Sequence, residues 1–200
     1  MAEGIIFPLH QKGDGMETLE AIKRRASLKT CCSTREVERE KIDKILDAAR
    51  LAPSARNMQP WHFIVVMGKK NIENVVTKAF GEGNQVVKEA PVLIIACANP
   101  KDDVIAEGKE YYLFDVGLAV ENMLLAATAL GLVTHPMAHV YEDELKKILG
   151  IPPEVRFVIA TPLAYPAGGT YEEAAQERLS QRTRKDQKEV VHANAWGKPF

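Results

Sequence analysis

The sequence predicts one domain in which helices and strands are interspersed, without a dinucleotide-binding turn. Three observations carry this. Two hundred residues are enough for one domain with a core of its own. Some segments repeat apolar residues at helical spacing, while others, such as "PVLIIACA", are apolar without interruption, as buried strands are. Neither G-x-G-x-x-G nor G-x-x-x-x-G-K-[ST] occurs, so a phosphate-bearing cofactor would have to be held by side chains and not by a glycine cradle. Residues 1–15 read as a flexible N-terminal segment and 16–200 as the domain, with a tail from about residue 170.

Taken in order, "METLEAIKRRA" sets Leu19 and Ile22 three apart and predicts a short helix. "EREKIDKILDAARLA" places Ile42, Ile45, Leu46 and Ala49 at i, i+3, i+4 and i+7, an amphipathic helix that stops at Pro53. "HFIVVMG" is a buried strand, "NIENVVTKAF" a helix closed by Gly81, and "PVLIIACAN" a second buried strand. "EYYLFDVGLAVENMLLAATALG" is apolar nearly all round, so the helix it predicts must be enclosed by its own domain or by a second copy. "VTHPMAHV" reads as a short strand and turn, "EDELKKILG" as a helix and "VRFVIATPLAYP" as a strand. Beyond Gly169 the chain turns polar and basic yet ends in Trp196, Pro199 and Phe200, apolar groups that need a cover.

Composition excludes several classes. With 46% hydrophobic and 26% charged residues the chain is globular, and a formal net charge of −1 leaves no footprint for nucleic acid or an acidic membrane. The apolar runs are too short to span a bilayer, and the first residues lack a secretory pattern. Cys31 and Cys32 are adjacent and Cys97 stands alone, which suggests no disulfide framework and no zinc spacing. His135 and His139 have helical metal-pair spacing, but Pro136 between them opposes a helix, so no metal is expected. A reduced, cytoplasmic protein fits best.

The segment "PSARNMQPWHF", Pro53 to Phe63, combines two prolines, two amides and a tryptophan. A helix interior would not tolerate Pro60 and a surface loop does not need Trp61, so the segment calls for fixed backbone with exposed amides. "LDAARLAPSARNMQPWHFIVV" resembles the signature of the nitroreductase family of FMN-dependent oxidoreductases. "RASLK" at Arg25 to Lys29, "DVGLAVENMLLAATALGL" at Asp115 to Leu132, "AYP" at Ala164 to Pro166 and "RTRK" at Arg182 to Lys185 are similar to further family motifs, in the family's order. The resemblance covers roughly residues 16–197.

This resemblance implies an α+β fold, a central mixed or antiparallel sheet flanked by helices, built as an intertwined homodimer whose tails lie on the partner. It implies FMN at the interface and NADH or NADPH as electron donor. A nitroaromatic or quinone would be reduced by a ping-pong cycle in which the flavin carries the chemistry. A specialised flavin enzyme (dehalogenase or flavin-cleaving) and a non-enzymatic flavin-binding protein are alternatives on the same fold.

The residues have their own chemistry. Arg25, Ser27 and Lys29 are donors suited to a phosphate and an acceptor-rich pyrimidine edge, though a solvated basic helix end has the same composition. By resemblance Pro53, Ser54 and Asn57 reach the other subunit's flavin, while Ser54 is equally a turn residue, Trp61 a core anchor and Gln59 a satisfier of loop backbone. Arg182 and Arg184 alternate along an extended segment and could converge on one phosphate, or form a basic tail. The resemblance sets Asn84 against the pyrimidine and a backbone N–H of Ala138 or His139 against the reactive flavin nitrogen. Many relatives have glycine at His139, so this imidazole lines the substrate face, or donates a proton, or is an ordinary turn residue. The connection "ANPKDDVIAEGKE" is short where larger relatives insert a lid.

Overall fold

The computed structural model describes residues 16–200; the reading of a flexible segment over 1–15 lies outside them. The first helix forms as α1 (Thr18–Arg24), but it turns Ala21 inward and leaves Leu19 and Ile22 exposed. The pair that marks the helix in the sequence therefore does not reach this chain's core. α2 (Arg39–Arg50) buries Ile42, Ile45 and Ala49, as its spacing predicts. Then come β1 (Trp61–Met67), α3 (Lys69–Ala79) and the wholly buried β2 (Val92–Ala98). The short connection folds into a small hairpin, β3 (Ile105–Ala106) with β4 (Lys109–Glu110), ahead of α4 (Tyr112–Ala129). β5 (Val133–Thr134), α5 (Glu142–Leu149) and β6 (Arg156–Ala164) follow.

The main sheet has the order β1-β2-β6-β5 with every neighbouring pair antiparallel. Because a strand alternates its side chains between faces, β2 feeds two cores at once. Val92, Ile94, Ala96 and Ala98 join α2, α4 and Trp61 on one face, whereas Leu93, Ile95 and Cys97 join α3 and α5 on the other. A strand buried on both faces has to read as a continuous apolar run, and this one does. α5 is tied to β6 by Glu142, whose carboxylate accepts from Lys146 Nζ and Arg156 Nε at 3.0 Å each and from the Phe157 N–H at 3.2 Å.

Within the segment read as a tail, Tyr171–Ser180 forms a helix, α6, that packs on α1 and buries Tyr171 and Ala175. It opens with a capping box in which the Thr170 hydroxyl accepts from the Glu173 N–H and Glu173 bonds back to the Thr170 N–H. A last short helix, α7 (Gln187–Val190), leads to a turn in which His192 bridges Pro199 and the His192 and Trp196 rings lie 4.7 Å apart. Trp196 is 91% exposed and Phe200 86%. α4 is long and apolar enough to cross a membrane by length and composition, but half of it is buried in the core. Its other side leaves Leu113 and Phe114 exposed on the surface, 51% and 61% respectively.

Candidate cofactor site

The basic stretch starts at the C-cap of α1 but does not continue as helix. Arg25 leaves the helix with ψ 126°, and the chain runs extended along the edge of the sheet. There Ser27 bridges Thr134 of β5 in parallel and the Leu28 N–H donates to the Thr134 carbonyl at 2.8 Å. Tyr171 of α6 pins this segment from below: its hydroxyl accepts from the Ala26 N–H at 2.9 Å and donates to the Arg24 carbonyl at 3.4 Å. Both backbone groups flank Arg25, so the tyrosine sets where that side chain starts. Tyr171→Phe removes the acceptor of a buried N–H while keeping the ring. It should cost about 1–3 kcal/mol of stability, seen as a lower urea midpoint with an unchanged slope.

A cleft of about 210 Å³ is lined by Arg25, Ser27, His135, Arg178, Arg182 and Arg184. Arg25, Ser27, Arg182 and Arg184, read from separate segments, thus converge here. Arg182 also has a structural task, since its Nη2 donates to the carbonyls of Lys23 and Arg25 at 2.8 and 3.2 Å, where α1 leaves carbonyls unpaired. Arg184 donates from Nη1 to the neighbouring Thr183 carbonyl at 2.6 Å. Glu121 of α4 comes within 4.0 Å of Arg25 Nε, too long for a strong pair. An excess of guanidinium groups around a hydroxyl suits a phosphate, which they can grip bidentately. A larger cleft of about 280 Å³ lies elsewhere, but its walls mix Glu36 and Glu89 with Lys69 and Lys88 and favour neither sign.

Arg178 carries no sequence signal of its own, and His135 stands out in the sequence only as half of a metal-pair spacing that Pro136 opposes. Arg178 reaches the cleft because α6 exists and because Tyr171 and Ala175 bury the neighbouring face. His135 follows β5, and its N–H donates to Thr161 Oγ1 at 3.0 Å. Burial first, then the charges of Lys29 and Arg178, lowers its pKa below the ordinary imidazole value.

Lys29 and Asn84 meet in a second group. Lys29 Nζ donates to the Gly83 carbonyl at 2.6 Å and lies 3.4 Å from Asn84 Oδ1, and the Asn84 side chain is buried. Asn84 stands in a 3-10 helix over Glu82–Glu89 that the sequence reading leaves as loop. Ala138 and His139 form the exposed tip of a turn held at Met137, which exchanges both backbone hydrogen bonds with Ala160. Neither the Ala138 nor the His139 N–H donates to an acceptor among the described residues. The His139 ring lies against Gly81, where a Cβ would come within 2.7 Å of its Nδ1, so any larger residue there would have to push the imidazole aside. His139 also meets the Tyr141 ring edge-on at 5.8 Å.

Pro53, Ser54 and Asn57 do not line the cleft; they form a separate, tightly turned loop. Arg56, Asn57 and Gln59 all have positive φ, a region costly for residues with a side chain. Two side-chain acceptors help to hold the loop there. Ser54 Oγ accepts from the Gln59 N–H at 3.0 Å, and the buried Asp115 carboxylate accepts from the Ala55 N–H at 2.7 Å. Asp115 opens the segment that resembles the family's central helix, and a charged residue inside so apolar a helix is the signal that could have marked its role in holding this loop. Gln59 donates to the Asn57 carbonyl, and Trp61 is buried in the core, as expected. Cys97 is buried and its thiol is pushed up to about 11, chiefly by burial, which leaves it unreactive.

Comparison with known proteins identifies the family. The nitroreductase family model matches residues 22–165. A Methanothermobacter thermautotrophicus protein provisionally named an NADH dehydrogenase/NAD(P)H nitroreductase is 39% identical over 158 residues, spanning 76% of this chain and 78% of that protein. The crystal structure of a nitroreductase family protein from Clostridium novyi NT superposes with a TM-score of 0.72 at 33% identity, covering 92% of this chain and 97% of the other. An FMN-dependent nitroreductase from Clostridium difficile R20291, 24% identical, shares the fold with a TM-score of 0.71 over 89% of this chain and 99% of its own. The chain belongs to the nitroreductase family and is an oxidoreductase.

Proposed function

We propose that the chain is an FMN-dependent oxidoreductase that passes hydride from NADH or NADPH to a small acceptor such as a nitroaromatic or quinone, in a ping-pong cycle, as a cytoplasmic homodimer. The convergence of Arg25, Ser27, Arg178, Arg182 and Arg184 on one cleft carries this reading, because that donor set suits a phosphomonoester. Lys29 and Asn84, joined beside it, supply a cation and an amide for an acceptor-rich ring edge. A cation there stabilises negative charge on a reduced ring. When bound, FMN supplies the hydride chemistry, and the protein binds, orients and tunes it. The free N–H groups at Ala138 and His139 are available as donors to a ring nitrogen.

The homodimer is supported by what one chain leaves open. Leu19, Ile22, Leu113, Phe114, Trp196 and Phe200 are large apolar side chains exposed in a chain with a well-filled core. The strained loop carrying Asn57 presents its amide to solvent and not to its own chain's cleft, as a residue serving a partner's cofactor would. The segment after α6, ending in Trp196 and Phe200, is the part suited to lie on that partner.

The visible spectrum of the purified protein tests the reading. A yellow protein with about one releasable FMN per chain is expected, bleached by anaerobic NADH or NADPH and recoloured by a quinone. A colourless protein that takes up no FMN on reconstitution would sink it.

A further inference from the structure

We propose, building on the assignment of the arginine-lined cleft to the FMN phosphate, that His135 is a further ligand of that phosphate and takes up a proton when it binds. The imidazole lines the cleft beside Ser27, Arg25 and Arg178. Its Nδ1 is buried with no hydrogen-bond partner among the described residues, which is uncommon for a polar atom in a folded chain. The ring does not hang on a mobile loop. The preceding Thr134 is bridged to Ser27, the His135 N–H is bonded to Thr161, and Pro136 restricts the backbone that follows.

The groups around it are nearly all cationic. Arg25 comes from the end of α1, Lys29 from the turn after the edge segment, Arg178 from α6, and Arg182 and Arg184 from the stretch beyond. β6 contributes only the Thr161 hydroxyl, and the carboxylate of Glu121 on α4 stands 4.0 Å from Arg25 Nε. In such company, and partly buried, an added positive charge is disfavoured, so without a bound anion the imidazole is neutral at neutral pH. A phosphate reverses the sign. It offsets the neighbouring cations and offers an acceptor to an imidazolium N–H, so the proton is held more tightly in the complex than in the free protein. Among the cleft-lining side chains, only this one changes charge near neutrality.

The direction of the pH dependence follows. A group whose pKa is higher in the complex strengthens binding as pH falls. The gain is fully present below the free-protein pKa and is lost as pH rises through that of the complex. The phosphate has its own second ionisation at about pH 6, but it acts alike on wild type and variant and cancels in their ratio.

The test measures dissociation constants of FMN and riboflavin for flavin-stripped wild type and His135→Asn, from about pH 5.5 to about pH 8.5 at fixed ionic strength. Wild type should bind FMN about 10-fold more tightly than the variant at the acid end, with the difference fading at the alkaline end. Riboflavin should show no pH-dependent difference between them. In parallel, NMR titration of wild type should show the His135 resonance moving to higher pKa with FMN and not with riboflavin, a readout that does not depend on the variant folding. An FMN ratio flat with pH, together with an unmoved His135 titration, overturns the proposal while tight, riboflavin-discriminating FMN binding leaves the phosphate site standing. Equal affinity for FMN and riboflavin at every pH overturns the phosphate assignment and His135's role with it.

Discussion

Arg184→Ala should raise the FMN dissociation constant roughly 30- to 150-fold, the loss of about 2–3 kcal/mol for one charge-assisted, bidentate contact. Arg184 is a cleaner probe than Arg182. The Arg182 guanidinium is already engaged by the Lys23 and Arg25 carbonyls, so removing it loosens the end of α1 as well as the cleft. Among the described residues Arg184 bonds to the carbonyl of its own neighbour, Thr183, and keeps donors for a ligand. Riboflavin should bind wild type weakly and be nearly indifferent to the change. Lys185→Ala, just outside the cleft lining, is the control and should leave FMN binding within about 2-fold of wild type. Equal weakening of FMN and riboflavin by Arg184→Ala would show that the residue supports the fold and not the phosphate.

The second large effect concerns assembly. Phe114 projects from α4 beside Leu113, and both are more than half exposed in the single chain. If a second copy covers this face, Phe114→Glu places a carboxylate in an apolar interface without a partner. The cost is several kcal/mol, enough to raise the dimer dissociation constant by at least about 100-fold. Sedimentation velocity over a dilution series reads this directly, and far-UV circular dichroism should show the helices intact. Flavin should be lost along with the dimer, because the loop carrying Asn57 serves the partner's site in this reading. A wild-type monomer saturated with FMN, or a Phe114→Glu dimer as tight as wild type, would contradict it.

The elements that were legible in the sequence are those whose burial is simple. β2 is apolar throughout because both its faces are covered, and α2 shows its stripe because one face is. The Arg25–Lys29 and Arg182–Arg184 segments stood out as ligand-binding candidates through the resemblance to the nitroreductase family, since by residue type alone they read as well as a basic helix end and a basic tail. What was missed depends on longer-range information. α6 was hidden by its polar composition, although Thr170 and Glu173 have the spacing of a capping box. Arg178 became a cleft residue only through that helix, and His135 only through the pairing of Thr134 with Ser27. The small hairpin over Ile105–Glu110 rests on four residues and has too few apolar positions to show a period. In α1 the apolar pair marks the helix but not its inward face, since helical spacing says that a face is apolar and not which molecule covers it.

The sheet order has a consequence for how the chain is made. β1 and β2 are near neighbours in sequence, but the other edge of β2 pairs with β6, Val92 opposite Leu163, across the whole stretch that holds α4, β5 and α5. Pairings that close so long a loop are slow to form compared with local ones, so this junction is a late contact in folding. During synthesis β2 emerges well before its second partner, a seven-residue apolar strand with one edge open. Until β6 arrives, that edge can pair with another nascent chain as readily as with its own. The last third of the chain therefore protects what precedes it: delivering β6 is what closes the open edge of β2.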